Sequence, residues 1–145
     1  MTKMTAILGA AAIALAGCAT VQDKMPDWMP GSGAIKVGLS GAEEVPPVNA
    51  DGSGSGSFRV ASDGTISGSV TTKGVNGTMA HIHQGAKGAN GPVIVPLTKN
   101  GDTYTVPPGR KLSEAQMQAL KAGNLYVNVH SARYKGGEVR AQLQP

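Results

Sequence analysis

The sequence predicts an all-β domain, a Greek-key β-sandwich or barrel with one short helix. Three observations carry that expectation. Apolar and polar residues alternate in short runs, 21 glycines and 9 prolines punctuate those runs, and a single segment spaces its apolar residues as a helix does. Aromatic residues make up only 3% of the chain, so the core is expected to come from aliphatic side chains on many short strands rather than on long helices.

The first element is not part of the fold. Residues 1–17 and the cysteine after them, "MTKMTAILGAAAIALAGC", have a cationic start at Lys3, an apolar run and small residues before Cys18, the anatomy of a secretory signal. The apolar run is too short for a good spanning helix. Its end, "LAGC", resembles the bacterial lipobox. That resemblance implies cleavage before Cys18, acylation of its thiol, and attachment to a membrane by acyl chains. Ala19, where an aspartate marks inner-membrane retention in Gram-negative lipoproteins, points to the outer membrane and a periplasm-facing domain. Residues 18–33 follow as a tether: they lack a period, carry Pro26 and Pro30, and end in Gly-Ser-Gly. Met25, Trp28 and Met29 are its apolar bulk.

Residues 34–145 are expected to form the domain. In "AIKVGLSG", Ile35, Val37 and Leu39 alternate with Lys36, Gly38 and Ser40, which is strand grammar. The paired prolines and glycine-serine run of residues 41–57 suggest a long surface loop. "SFRVASDGTISGSVTT" reads as two strands about Asp63-Gly64, a dipeptide suited to the positive φ angles of a hairpin turn. "MAHIH" is a strand, "QGAKGANGP" a loop, "VIVPL" a strand, and Asn100-Gly101 a second hairpin turn. "LSEAQMQALKAGN" is the helix: Ser113 caps its start, Leu112, Met117 and Leu120 supply contacts, and Gly123 stops it. "LYVNVHSARYKGGEVRAQLQ" closes the chain as a hairpin turning at Lys135-Gly136-Gly137.

Bulk composition excludes several functions. Cys18 is the sole cysteine, so the domain has no internal disulfide and no thiolate metal site. The formal charge of +4 is spread among interspersed acids and bases, with no basic block or aromatic platform for nucleic acid. No glycine-rich phosphate motif leads from a strand into a helix. Glu43 and Glu44 are adjacent and would diverge on a strand, which argues against a paired-carboxylate mechanism.

The three histidines carry the chemistry. His81 and His83 in "AHIH" are two apart, so on a strand they share a face while Ile82 points the other way. In "LYVNVH", Leu125, Val127 and Val129 form one face and Tyr126, Asn128 and His130 the other. Three imidazoles that converge can hold a metal at about 2.0–2.1 Å per Zn–N bond. An all-nitrogen set suits copper or zinc rather than magnesium or calcium, and the Irving–Williams order puts copper first. Met79 shares the face of His81 as a weak soft ligand or a packing group. The same spacing also fits three solvated histidines on a β-surface.

The segments "LSGAEEVPPV", "AHIHQGAKGANGPVIVPL" and "LKAGNLYVNVHSARYKGGEVRAQL" together resemble the CHRD domain, named for its occurrence in chordin and common in bacterial secreted proteins. The resemblance runs from about Ala34 to Leu143 and implies an extracytoplasmic β-sandwich, immunoglobulin-like or superoxide-dismutase-like in topology. A second resemblance concerns the site alone. His81 and His83 match the paired histidines of the copper half of copper-zinc superoxide dismutases, and His130 matches their late-strand ligand. There is no fourth histidine here, so the bridging ligand and zinc site are missing, as is the usual disulfide.

The expected function is a lipid-anchored domain binding one copper ion per chain, with zinc the less favoured metal and superoxide dismutation the sharpest form of activity. Arg133 and Arg140 are expected to steer the anion, unless Arg140 pairs with Glu138 or Glu44 on the surface. A non-catalytic copper buffer or carrier with a transfer partner, and a metal-free module for protein or glycan contacts, are the other readings.

Overall fold

The computed structural model describes residues 33–145. The signal segment, Cys18 and tether residues Met25, Trp28 and Met29 lie outside the described residues. Nine antiparallel strands and one helix follow in order: β1 (Ile35–Ser40), β2 (Ser53–Val60), β3 (Ile66–Lys73), β4 (Gly77–Gln84), β5 (Val93–Pro96), β6 (Thr98–Asn100), β7 (Thr103–Thr105), α1 (Glu114–Lys121), β8 (Leu125–Ser131) and β9 (Val139–Leu143). They form one sheet in the order β5-β4-β8-β9-β1-β2-β3-β7-β6.

That sheet curls into a nearly closed barrel. β5 pairs with β4 and β6 with β7, and only Leu97 separates β5 from β6. The Leu97 N–H donates to the Ala80 carbonyl at 3.0 Å, so this segment links the two ends of the sheet and leaves little open edge. The passages from β3 to β4 and from β7 to β8 both join strands that are not neighbours, giving the Greek-key character expected. One result is that β4 and β8, distant in sequence, lie side by side.

The core is aliphatic, as composition demanded. Ile82, Val127, Val129, Leu125, Val70 and Phe58 are fully enclosed within a single cluster. α1 closes one end: Ser113 and Gln116 cap it reciprocally, Leu112 and Leu120 are buried, and Gly123 takes a φ of +75° beyond the last turn.

One boundary differs from the sequence reading. The glycine-serine run is strand, not loop: Ser53 to Gly56 pair with both β1 and β3. Its serines point to solvent while Gly54 and Gly56 face inward, a period of two with glycine in the apolar positions. A Cβ at Gly56 would collide with the Ser69 carbonyl and the Val70 backbone, so glycine is there for close approach of backbones.

Candidate metal centre

Register brings the histidines together. Across the β4–β8 pair, Met79 faces His130, His81 faces Asn128, and His83 faces Tyr126. Directly opposed residues share a face, and the alternate face, with Ala80, Ile82, Val127 and Val129, is core. The imidazoles therefore stand on the outer wall of the barrel, on the face the alternation predicted.

That wall is largely covered over β8. Every residue of β8 is buried, because the segments 41–52, 85–92 and 132–138 lie over its outer face. Asn90 Nδ2 donates to the Val45 carbonyl at 2.8 Å, joining two of these segments. β9 pins the second: Gln142 Nε2 donates to Gly85 O at 2.7 Å, and Arg140 Nη2 donates to Ala89 O at 2.9 Å. Glu44, Asn128, Glu138 and Arg140 are all buried in this polar layer.

His83 and His130 each have one nitrogen committed to a backbone carbonyl. His83 Nδ1 lies 2.9 Å from the Gly91 carbonyl and His130 Nδ1 lies 2.8 Å from the Lys135 carbonyl. A carbonyl only accepts, so both rings carry a proton on Nδ1, which leaves Nε2 as the ligating atom of the neutral ring. His130 Nε2 is 3.1 Å from His81 Nδ1. His83 Nε2 is buried and has no hydrogen-bond partner, a rare and costly condition for a polar atom.

One ligating nitrogen from each ring lies within 4.8 Å of the others. Two nitrogens bound to one ion at about 2.0–2.1 Å can be at most about 4.2 Å apart, and about 3.4 Å apart in a tetrahedral site, so the widest pair must close by roughly 0.6 to 1.4 Å. Burial, reinforced by the neighbouring imidazoles, holds the His81 pKa below its ordinary value. Burial likewise lowers that of His83, against the opposing hydrogen bonds to Gly91 and the Asn128 side chain. Both rings are therefore neutral near pH 7, the form that ligates. The carbonyl bonds behind His83 and His130 are the outer-shell supports that metal-ligating histidines require.

The remaining candidates are placed differently. Met79 is half exposed and lines, with His130, Thr78, Ala132 and Lys135, a surface hollow of about 360 Å³. Arg133 is exposed and lies over the Tyr134 ring at 5.2 Å. Arg140 is not the surface group expected. It is 1% exposed, its guanidinium donates to Asn90, Ala86, Ala89 and Gln142, and among the described residues it forms no salt bridge with Glu138 or Glu44. Its neighbours on β9 explain this: Val139 and Ala141 point into the core, so Arg140 points out, beneath a roof that sequence periodicity does not show.

Glu44, Tyr126 and Gln142 were not recognised as parts of the site. Glu44 is pushed up to about 7 by burial, with Arg140 and Asn128 working against the rise. The available signal was modest: polar residues outward on β8 and β9, two strands whose polar faces adjoin.

The model of the CHRD domain family matches residues 35–143. That span covers most of the sequence, and the chain belongs to this family. Neither a curated protein nor a solved structure matches it.

Proposed function

We propose that this CHRD-domain chain is a copper-binding protein of the bacterial cell envelope, held to the outer membrane through lipidated Cys18, and that its bound ion dismutes superoxide. The observation that carries the metal reading is the buried Nε2 of His83, without a well-formed hydrogen bond, in a cluster whose other two members, His81 and His130, already face each other at 3.1 Å. An ion would give that lone pair, whose polar neighbour is the Asn128 side chain, a full partner. The donor set is three imidazoles without thiolate or carboxylate, which favours copper, then zinc.

His81 Nδ1, His83 Nε2 and His130 Nε2 would hold the ion. Without it, His81 Nδ1–H donates to His130 Nε2, because the His130 proton is fixed on the side of Lys135. A ligating His81 Nδ1 would require the His81 proton on Nε2 instead, on a ring that is only partly buried. Copper supplies one-electron exchange between two oxidation states, the chemistry that superoxide dismutation requires. Three protein ligands leave a position for a small anion, and the hollow beside His130, with Lys135 at its rim, offers access.

The test is superoxide removal by copper-loaded protein against an equal concentration of free copper, with His81→Ala and His130→Ala as controls. Activity above free copper and lost in both variants is expected; equal activity in all samples removes the enzyme reading. Elemental analysis of protein taken from its own envelope checks the metal, with one copper per chain expected. Labelling with palmitate, abolished by Cys18→Ser, checks the anchor.

A copper carrier is the second reading, favoured by the exposed thioether of Met79 across from His130. Rapid loss of Cu(I) to an acceptor, slowed by Met79→Leu, would support it over turnover.

A further inference from the structure

Behind His83 stands a column of stacked groups. The Tyr126 ring lies parallel to the imidazole, 4.7 Å between centroids with 2° between planes. The Arg140 guanidinium carbon is 3.5 Å from the centroid of the same tyrosine ring. Gly91 locks this column from the side. Its carbonyl accepts from His83 Nδ1 at 2.9 Å, and its N–H donates to the Tyr126 hydroxyl at 3.1 Å. A guanidinium is always charged, and this one has no carboxylate within salt-bridge distance among the described residues. A full positive charge is thus fixed two stacking distances from one face of the metal-site ligand.

A buried cation at that distance acts on whatever charge the histidines hold. It penalises a doubly charged ion more than a singly charged one, with little screening by salt. We infer that Arg140, held through Tyr126, is a charge-setting residue that biases the three-histidine site toward the lower oxidation state of its metal. This rests on the metal-site reading above. With the charge about 10 Å from the ion and an effective dielectric of about 20, the bias is roughly ten-fold in the ratio of Cu(II) to Cu(I) dissociation constants. For a one-electron couple that equals about 59 mV. Tyr126 has the separate task of holding the imidazole plane.

The two roles of Arg140, tying down the 85–92 segment and supplying charge, give different signatures. Loss of the tie alone weakens both oxidation states together. Loss of the charge changes their ratio.

The experiment is competition titration of the full mature domain with Cu(I) and with Cu(II), and a potential from an electrode that supplies the single electron. Arg140→Gln is expected to move the ratio roughly ten-fold toward Cu(II), lowering the potential by about 59 mV, while Arg140→Lys keeps it near the wild-type value. Asn90→Asp is the second variant, for the case in which Arg140→Gln does not fold. It lies on an exposed segment, its side-chain oxygen is 3.3 Å from Arg140 Nη1, and the added carboxylate neutralises the guanidinium, with loss of the Asn90 bond to the Val45 carbonyl, which acts on both oxidation states alike. It should shift the ratio the same way. An unchanged ratio in Asn90→Asp, or Arg140→Gln weakening both ions alike, overturns the inference while the metal site stands. Failure of wild-type protein to bind either ion overturns the site itself.

Discussion

The two faces of β4 and β8 differ in how they are built. Inward, Ala80, Ile82, Val127 and Val129 interlock within an aliphatic cluster whose stability comes from apolar area removed from water. Outward, His81, His83, Asn128 and His130 are mostly as hidden, yet they are covered by loops and held by hydrogen bonds to single backbone carbonyls. The inner face satisfies itself completely. The outer face leaves three buried polar atoms, Glu44 Oε1, His83 Nε2 and Asn128 Oδ1, without a hydrogen-bond partner. Such atoms cost stability when nothing meets them, so the outer layer is the less stable of the two faces.

The contrast is sharpest in mutation. Ile82→Ala should cost about 2–5 kcal/mol by denaturant unfolding, and equally with or without copper, because the cavity lies on the far side of the strand from the site. His130→Ala should differ in kind: the metal-free protein loses about 0.5–1.5 kcal/mol with the bond to the Lys135 carbonyl, while the stabilisation by copper disappears. That stabilisation is about 2.7 kcal/mol at a hundred-fold excess over Kd. If Ile82→Ala abolished copper binding while remaining folded, the separation of the two faces would fail.

The inner face was legible because a period of two is a local property, whereas the pairing of β4 with β8 is not local and was not. Ile82 between His81 and His83 declares both faces of β4 at once, and the same holds for Val127 and Val129 in β8. The roof was not legible. Arg140 reads as a surface charge because nothing near it in sequence shows that residues 86–90 supply its acceptors. Glu44 reads as a loop acid for the same reason. The glycine-serine strand was missed because its inward positions lack side chains, so a hydrophobicity pattern cannot register them.

The polar layer should also respond to pH where the core does not. His81 and His83 have folded pKa values below the ordinary 6.5. As pH falls below about 6.5 the unfolded chain takes up protons that the folded state refuses, and stability drops. Glu44, raised to about 7 from 4.5, works in the opposite sense: between those values the folded state holds a proton the unfolded chain has lost, so stability falls as pH rises. The two partly cancel between about pH 5 and 6.5. Glu44→Gln removes one side, and melting temperature in the metal-free protein should then rise more steeply with pH over that window. A slope identical to wild type would show that Glu44 does not titrate as its burial implies.

The smallest effect belongs to neither face. Ser113→Ala removes the reciprocal cap of α1 and should cost about 1 kcal/mol, with copper affinity unchanged.

The central claim is that His81, His83 and His130 hold one ion together. Electron paramagnetic resonance of the Cu(II)-loaded domain, with nitrogen couplings resolved by isotopic labelling of histidine, counts the imidazoles directly. Three coupled histidine nitrogens at one copper per chain, reduced to two in His83→Ala, is the result this account predicts; a spectrum without imidazole coupling, or one unaltered by replacing all three histidines, contradicts it.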